Sequence, residues 1–160
     1  MGALLVTHTE YLITINMKLK IDNELLAEEF FEDTCLLGIV APIVPHQFVW
    51  NINKGLNVDF RLRNELEIQL LKKNRNYFFS VYEYCEPFLS LSYYLYENLN
   101  DGEYLVPEFR NLDYLWLSKG DIPGREDELL LIQDLKKIPG VQLVVELNNE
   151  KIINKQHLIF

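Results

Sequence analysis

The regular spacing of apolar and polar residues is clearest in the last third of the chain. Leu131, Ile132, Leu135 and Ile138 fall on one stripe at helical spacing. Glu126, Asp127 and Glu128 precede the stripe, Lys136 and Lys137 close it in the sense that suits a helix dipole, and Pro139-Gly140 stops it. The pattern predicts a helix over 125–138. Beyond it Val141, Leu143, Val145 and Leu147 alternate with Gln142 and Glu146, the period of a half-buried strand. Leu112 to Leu117 supplies a strand ahead of the helix, with Leu112, Tyr114 and Trp116 on one face and Asp113 on the other.

Upstream, Cys35 to Ala41 is an unbroken apolar run between acids and Pro42, the pattern of a buried strand. Residues 45–56 fit both strand and helix periods. Pro45 suits a first helical turn and Gly55 the position just past a helix end, so the punctuation favours a helix. Val58, Phe60 and Leu62 then alternate with Asp59, Arg61 and Arg63, which predicts a strand with its apolar face inward. Tyr77 to Tyr84 and Phe88 to Glu97 read as two long strands joined through Cys85-Glu86-Pro87, and Asn100-Asp101-Gly102 as a further tight turn. Lys18 to Ile21 reads as extended, and Asp22 or Asn23 as the cap of a short helix that pairs Leu26 with Phe30 and Ala27 with Phe31. A short helix from Asn148 is expected to bring His157 to Phe160 onto the body. The sum is an α+β fold, a mostly antiparallel sheet of about five to seven strands with two main helices packed on one face, similar to a ferredoxin-like sandwich.

Composition narrows the class. A hydrophobic share of 49% with 24% charged residues is that of a globular chain. No apolar run approaches the roughly 18 residues of a membrane span. The net charge of -9 repels phosphate backbones and anionic bilayers, so neither nucleic acid nor membrane is expected as a partner. Cys35 and Cys85 lie far apart and lack a second pair, the signature of two buried thiols in a reducing, cytoplasmic compartment rather than of a disulfide framework or zinc site. Met17-Lys18 reads as a natural start. Residues 1–16 are therefore expected to be a poorly ordered N-terminal extension and residues 17–160 a single domain.

One stretch stands apart, Val106-Pro107-Glu108-Phe109-Arg110-Asn111-Leu112-Asp113-Tyr114. It resembles the signature of the I-P-E-x-x-x-V-D-Y family of uncharacterised bacterial proteins. Val106 stands for the Ile and Leu112 for the Val, and the similarity extends from about Met17 to Leu158-Ile159-Phe160. The resemblance implies a whole single-domain member and brings no activity, cofactor or catalytic residue.

Physically, Pro107 removes a backbone donor and turns the chain. Glu108 and Asp113 then have two readings. In the structural one they accept hydrogen bonds from loop amides or from Arg110, stabilising the connection by roughly 1–3 kcal/mol. In the functional one they are an acid and base lining a cleft. Pro107, Glu108, Arg110, Asp113 and Tyr114 are thus the candidate binding residues, and the sequence names no catalytic, cofactor or metal residue. His8, His46 and His157 lack metal-ligand spacing, Ser80, Ser90 and Ser92 lack a nucleophile elbow, and Gly120, Gly124 and Gly140 form no phosphate-cradling series.

Two further concentrations bear on partners. Tyr77, Tyr82, Tyr84, Tyr93, Tyr94, Tyr96, Tyr104 and Tyr114 crowd the predicted sheet, more than one core readily buries with every hydroxyl satisfied, so some are expected at the surface as a protein-binding face. Arg61, Arg63, Lys72, Lys73 and Arg75 form a basic patch that could meet the acidic surface of a second copy in a homodimer. The expected function is a non-enzymatic interaction module binding a protein partner or itself. The alternative is a small-molecule-binding or catalytic domain centred on Glu108 and Asp113.

Overall fold

The computed structural model describes residues 22–122 and 124–160, so the expected extension over 1–16 and the extended segment at 18–21 lie outside the described residues. The chain divides into two units, Met1–Glu32 and Asp33–Phe160. In the first, residues 22–31 form a helix, α1. Asp22 and Asn23 lie within it, Ala27 is buried, and the Phe30 and Phe31 rings meet edge to face at 5.1 Å.

The second unit is α+β. Its main sheet has six strands, each antiparallel to its neighbours, in the order β10-β1-β9-β6-β5-β2. These are β1 (Thr34–Val40), β2 (Arg61–Leu62), β5 (Val81–Cys85), β6 (Leu91–Glu97), β9 (Tyr114–Gly120) and β10 (Leu143–Leu147). Two small ribbons stand apart, β3 (Ile68–Lys72) with β4 (Arg75–Phe79) and β7 (Leu99–Asn100) with β8 (Glu103–Tyr104). The helices are α2 (Pro45–Leu56), between β1 and β2, and α3 (Arg125–Lys136), between β9 and β10. Taken alone, β1, α2, β6, β9, α3 and β10 have the sheet order 10-1-9-6, which is the split β-α-β arrangement of a ferredoxin-like sandwich.

Both helices cover one face. Phe48, Val49 and Ile52 of α2 and Ile132 and Leu135 of α3 pack with Leu37, Ile39, Leu95, Tyr114 and Trp116 in one buried cluster. Helix α2 begins at Pro45 without a side-chain cap, and its C-terminus is closed by Asn57 in the left-handed region. Gly55 is not the terminator that its position suggests. It lies inside α2, where a Cβ would come within 2.3 Å of Ile138 Cδ1, so its role is close packing.

The opposite face is covered without long elements. Residues 105–112 and the tail 149–160, which forms two 3-10 turns instead of the expected helix, lie over it. Leu112 presses so closely on Gly38 that a Cβ there would sit 2.3 Å from Leu112 Cδ1. Phe160 meets the rings of Tyr94 and Tyr96 at 4.8 and 6.3 Å. Leu115 and Leu117, pointing to this side, are fully buried.

The structure departs from the sequence pattern in several places. Leu112 belongs to the covering segment and not to the face shared by Tyr114 and Trp116. In β10 it is Val144 that is buried, paired with Ile39 on the helix-covered side, while Leu143 on the other side is exposed, so the strand alternates in the opposite phase to the predicted one. The predicted strand over Val58 to Leu62 pairs only at Arg61 and Leu62, and Leu62 is exposed. The predicted strand over 77–84 breaks at Ser80 into β4 and β5, which belong to different sheets. Residues 86–90 form a turn, so β6 starts at Leu91 and Phe88 stands in the left-handed region.

Candidate functional site

The nine residues from Val106 to Tyr114 form a corner between the covering layer and the sheet. Pro107 opens a 3-10 turn, where its missing N–H costs nothing, and the turn closes through Phe109 N–H to Val106 O and Leu112 N–H to Phe109 O. The corner is held by Asn98, a fully buried residue that sequence reasoning did not single out. Its side-chain amide donates to Phe109 O at 3.0 Å and Leu112 O at 2.8 Å, and its side-chain oxygen accepts from Val106 N at 3.0 Å. Its main chain donates to Asp113 O and accepts from Leu105 N. One polar side chain thus satisfies two main-chain groups, Val106 N and Leu112 O, that the loop would otherwise bury unpaired, and adds a second bond to Phe109 O. An asparagine after a strand carries no pattern that announces this.

The two acids point to different partners. Glu108 grips Asn154 with both oxygens, accepting from its main-chain and side-chain nitrogens at 2.8 Å each. Burial works against the charged form, but these Asn154 hydrogen bonds outweigh it and hold Glu108 below the usual carboxylate range. Asp113 Oδ2 instead accepts from Ala41 N at 2.8 Å, tying the start of β9 to the end of β1. Tyr114 donates its hydroxyl to Ile43 O and packs its ring 4.4 Å from Phe48. Its hydroxyl is pushed well above the ordinary phenol range by burial and by the nearby Glu97 and Asp113 carboxylates. Arg110 is exposed and pairs with neither acid.

Asp113 and Tyr114 line a cleft of about 360 Å³ with Glu97, Leu99 and the β1–α2 connection at Pro42 to Pro45. Glu108 does not line it. Burial raises the Glu97 carboxyl above its usual range, opposed by hydrogen bonding to Ser80. Pro107 and Arg110 line a second cleft, of about 260 Å³, with Lys73, Glu103 and Tyr104. The structure therefore distributes the candidate residues among a tail clamp at Glu108, one cleft at Asp113 and Tyr114, and another at Pro107 and Arg110.

The histidines and cysteines differ in their surroundings. His157 Nδ1–H donates to Leu105 O at 2.8 Å, helping to pin the tail, and His46 is exposed in the first turn of α2. The Cys35 thiol donates to Glu128 Oε1 at 2.7 Å and is pushed up to about 12, first by burial and then by Glu128, so it is a poor nucleophile. Cys85 is exposed rather than buried and accepts a hydrogen bond from Ser92 Oγ at 3.4 Å. No group of three or more His, Cys, Asp or Glu side chains among the described residues could hold a metal ion, and none of the described helices is long and apolar enough to cross a membrane.

Neither expected partner surface has the predicted character. None of the eight tyrosines on the ribbons and sheet is exposed: Tyr82, Tyr84, Tyr93 and Tyr114 pack with the helix-covered cluster, and Tyr94 and Tyr96 meet Phe160 of the tail. Tyr96 donates to Leu158 O at 2.9 Å, and Tyr94 is pushed up to about 12 by burial and then by Glu83. The five cations of the basic patch each have an acid of the same chain beside them: Asp59 for Arg61, Glu65 and Glu83 for Arg63, Glu103 for Lys72 and Lys73, and Asp101 for Arg75. Exposed apolar residues are spread over the described surface, among them Trp50 on α2, Leu71 and Phe78 on the outer face of the β3–β4 ribbon, Ile153 in the tail, and Phe88 and Leu89 side by side at the β5–β6 turn. No protein-family model matches the chain, and no curated protein matches it either.

Proposed function

We propose that this chain is a non-enzymatic interaction module that binds another protein, through apolar side chains at the tip of the β5–β6 hairpin. The observation that carries this reading is Phe88. Its side chain is fully exposed, Leu89 beside it is largely so, and its backbone stands at φ 68°. A non-glycine residue in the left-handed region costs roughly 1–2 kcal/mol, and an aromatic ring in water returns none of that to the isolated chain. Burying it in a partner would return roughly 1.5–3 kcal/mol. Aromatic anchors of this kind are what interface hot spots are made of. The module would act in the cytoplasm, where free thiols such as Cys35 and Cys85 stay reduced. Its net charge of -9 disfavours nucleic acid.

The test is co-purification from the native host with the wild-type chain and with the double variant Phe88→Asp, Leu89→Asp. A reproducible protein partner, or a second copy of the chain, is expected with the wild type and not with the variant, whose thermal midpoint should be unchanged. The same partner on both chains, or a bound metabolite in place of a protein, would overturn the reading. The metabolite outcome would favour the second reading, small-molecule binding or catalysis, which the shared cleft of Asp113 and Glu97 supports at Asp113 though not at Glu108.

A further inference from the structure

The cleft beside Pro107 has an unbalanced charge. It lies where the β3–β4 turn, the β7–β8 ribbon and the corner meet, lined by Lys73, Gly102, Glu103, Tyr104, Pro107 and Arg110. Its walls are pinned together. Arg75 of β4 pairs with Asp101 in the β7–β8 turn, and Lys72 Nζ reaches both Glu103 Oε2 at 3.2 Å and Tyr104 O at 3.0 Å. Both turns are tight, with Lys73 and Asn74 at φ 51° and 61° and Asp101 and Gly102 at φ 51° and 80°.

Glu103 is the acid in the wall, and Lys72 neutralises it at close range. Lys73 stands 4.0 Å from the other Glu103 oxygen and is otherwise exposed. Arg61, Arg63, Arg75 and Arg125 each pair with a carboxylate, whereas Arg110 has no acid partner among the described residues. After Lys72 cancels Glu103, Lys73 and Arg110 leave two positive charges on one small cleft of a chain whose net charge is -9.

We propose that this cleft binds a phosphate dianion, free or as the phosphomonoester end of a small metabolite. Arg110 supplies a forked pair of donors and Lys73 a mobile point charge, the combination that matches a tetrahedral dianion. The volume of about 260 Å³ is below the roughly 300–1,000 Å³ of pockets for drug-sized ligands, which suits a phosphate with a short substituent. The Tyr104 side chain and the Pro107 ring offer that substituent a wall. Extended polyanions are disfavoured by the acidity of the rest of the surface. The proposal does not depend on the hairpin tip of the β5–β6 connection.

Titration of the full chain with inorganic phosphate, followed by amide and guanidinium NMR shifts at constant ionic strength, tests it. Saturable shifts are expected at Arg110, Gly102 and Tyr104. Arg110→Ala and Lys73→Ala should each weaken binding about tenfold, as expected for one lost charge-assisted contact, while Lys136→Ala leaves it unchanged. Tighter binding of glycerol phosphate through the same residues would identify a metabolite end, and equal binding would identify free phosphate. Shifts that fail to saturate, match those caused by chloride, or persist in the Arg110→Ala, Lys73→Ala double variant would overturn the proposal.

Discussion

On one face of the sheet, Phe48, Val49, Ile52, Ile132 and Leu135 arrive on two twelve-residue helices and press into Leu37, Ile39, Tyr114 and Trp116. On the other, Leu105, Val106, Leu112, Ile152 and Leu158 are just as deeply buried, yet they arrive on loops and 3-10 turns. A helix satisfies its own backbone, so a helical cover needs only an apolar stripe. A loop does not, and its cover needs polar side chains to meet the backbone groups it buries. Asn98, Glu108, Tyr96 and His157 do that here. The helical face is held by packing and the loop face by a few specific hydrogen bonds, and mutations should separate the two.

The largest effect is expected on the helical face. Phe48→Ala removes a fully buried ring in contact with Tyr114 and should cost about 3–5 kcal/mol in denaturant unfolding, a value set by cavity volume and insensitive to pH. On the loop face, Asn98→Ala creates a small cavity, leaves Val106 N and Leu112 O unpartnered and removes one of the two hydrogen bonds to Phe109 O. It should cost about 3 kcal/mol. Asn98→Leu, which restores volume without hydrogen bonds, should not rescue it. Rescue by leucine would place the loop face under the same rule as the helical one.

A smaller effect distinguishes the faces by pH. Glu108 has a folded-state pKa below its unfolded value, so its contribution to stability is present above the unfolded pKa and is lost as pH falls through the folded one. The hydrogen-exchange protection factor of the Asn154 amide, corrected for the intrinsic pH dependence of exchange, should therefore fall on acidification more than the protection factors in α2. Glu108→Gln should remove that difference. A uniform loss of protection across both regions would mean that the clamp is not a separate, titratable element.

The same contrast decides what the sequence makes legible. The stripe of α3, the run of β1 and the Pro45 start of α2 follow from periodicity and punctuation, because packing against a sheet imposes a period. The loop cover has no period to impose. Its buried leucines look like strand or tail residues, its key asparagine looks like a turn residue, and the partner of Glu108 lies 46 positions away. The tyrosines mislead as well, since neither the helices over Tyr82, Tyr84, Tyr93 and Tyr114 nor the tail over Tyr94 and Tyr96 can be read from the tyrosines' own spacing. Pro107, Glu108 and Asp113 stand out as a motif, but their spacing says nothing of which partner each one takes, or that Asp113 would share its cleft with Glu97.

The account turns on Glu108 serving as a clamp on the tail instead of as a chemical group facing a ligand. A double-mutant cycle between Glu108→Ala and Asn154→Ala, read by denaturant unfolding at neutral pH, tests this most directly. The clamp predicts that the two single losses fall short of additivity by about 1 kcal/mol, as for side chains in direct contact. Fully additive losses, or single variants as stable as the wild type, would contradict it.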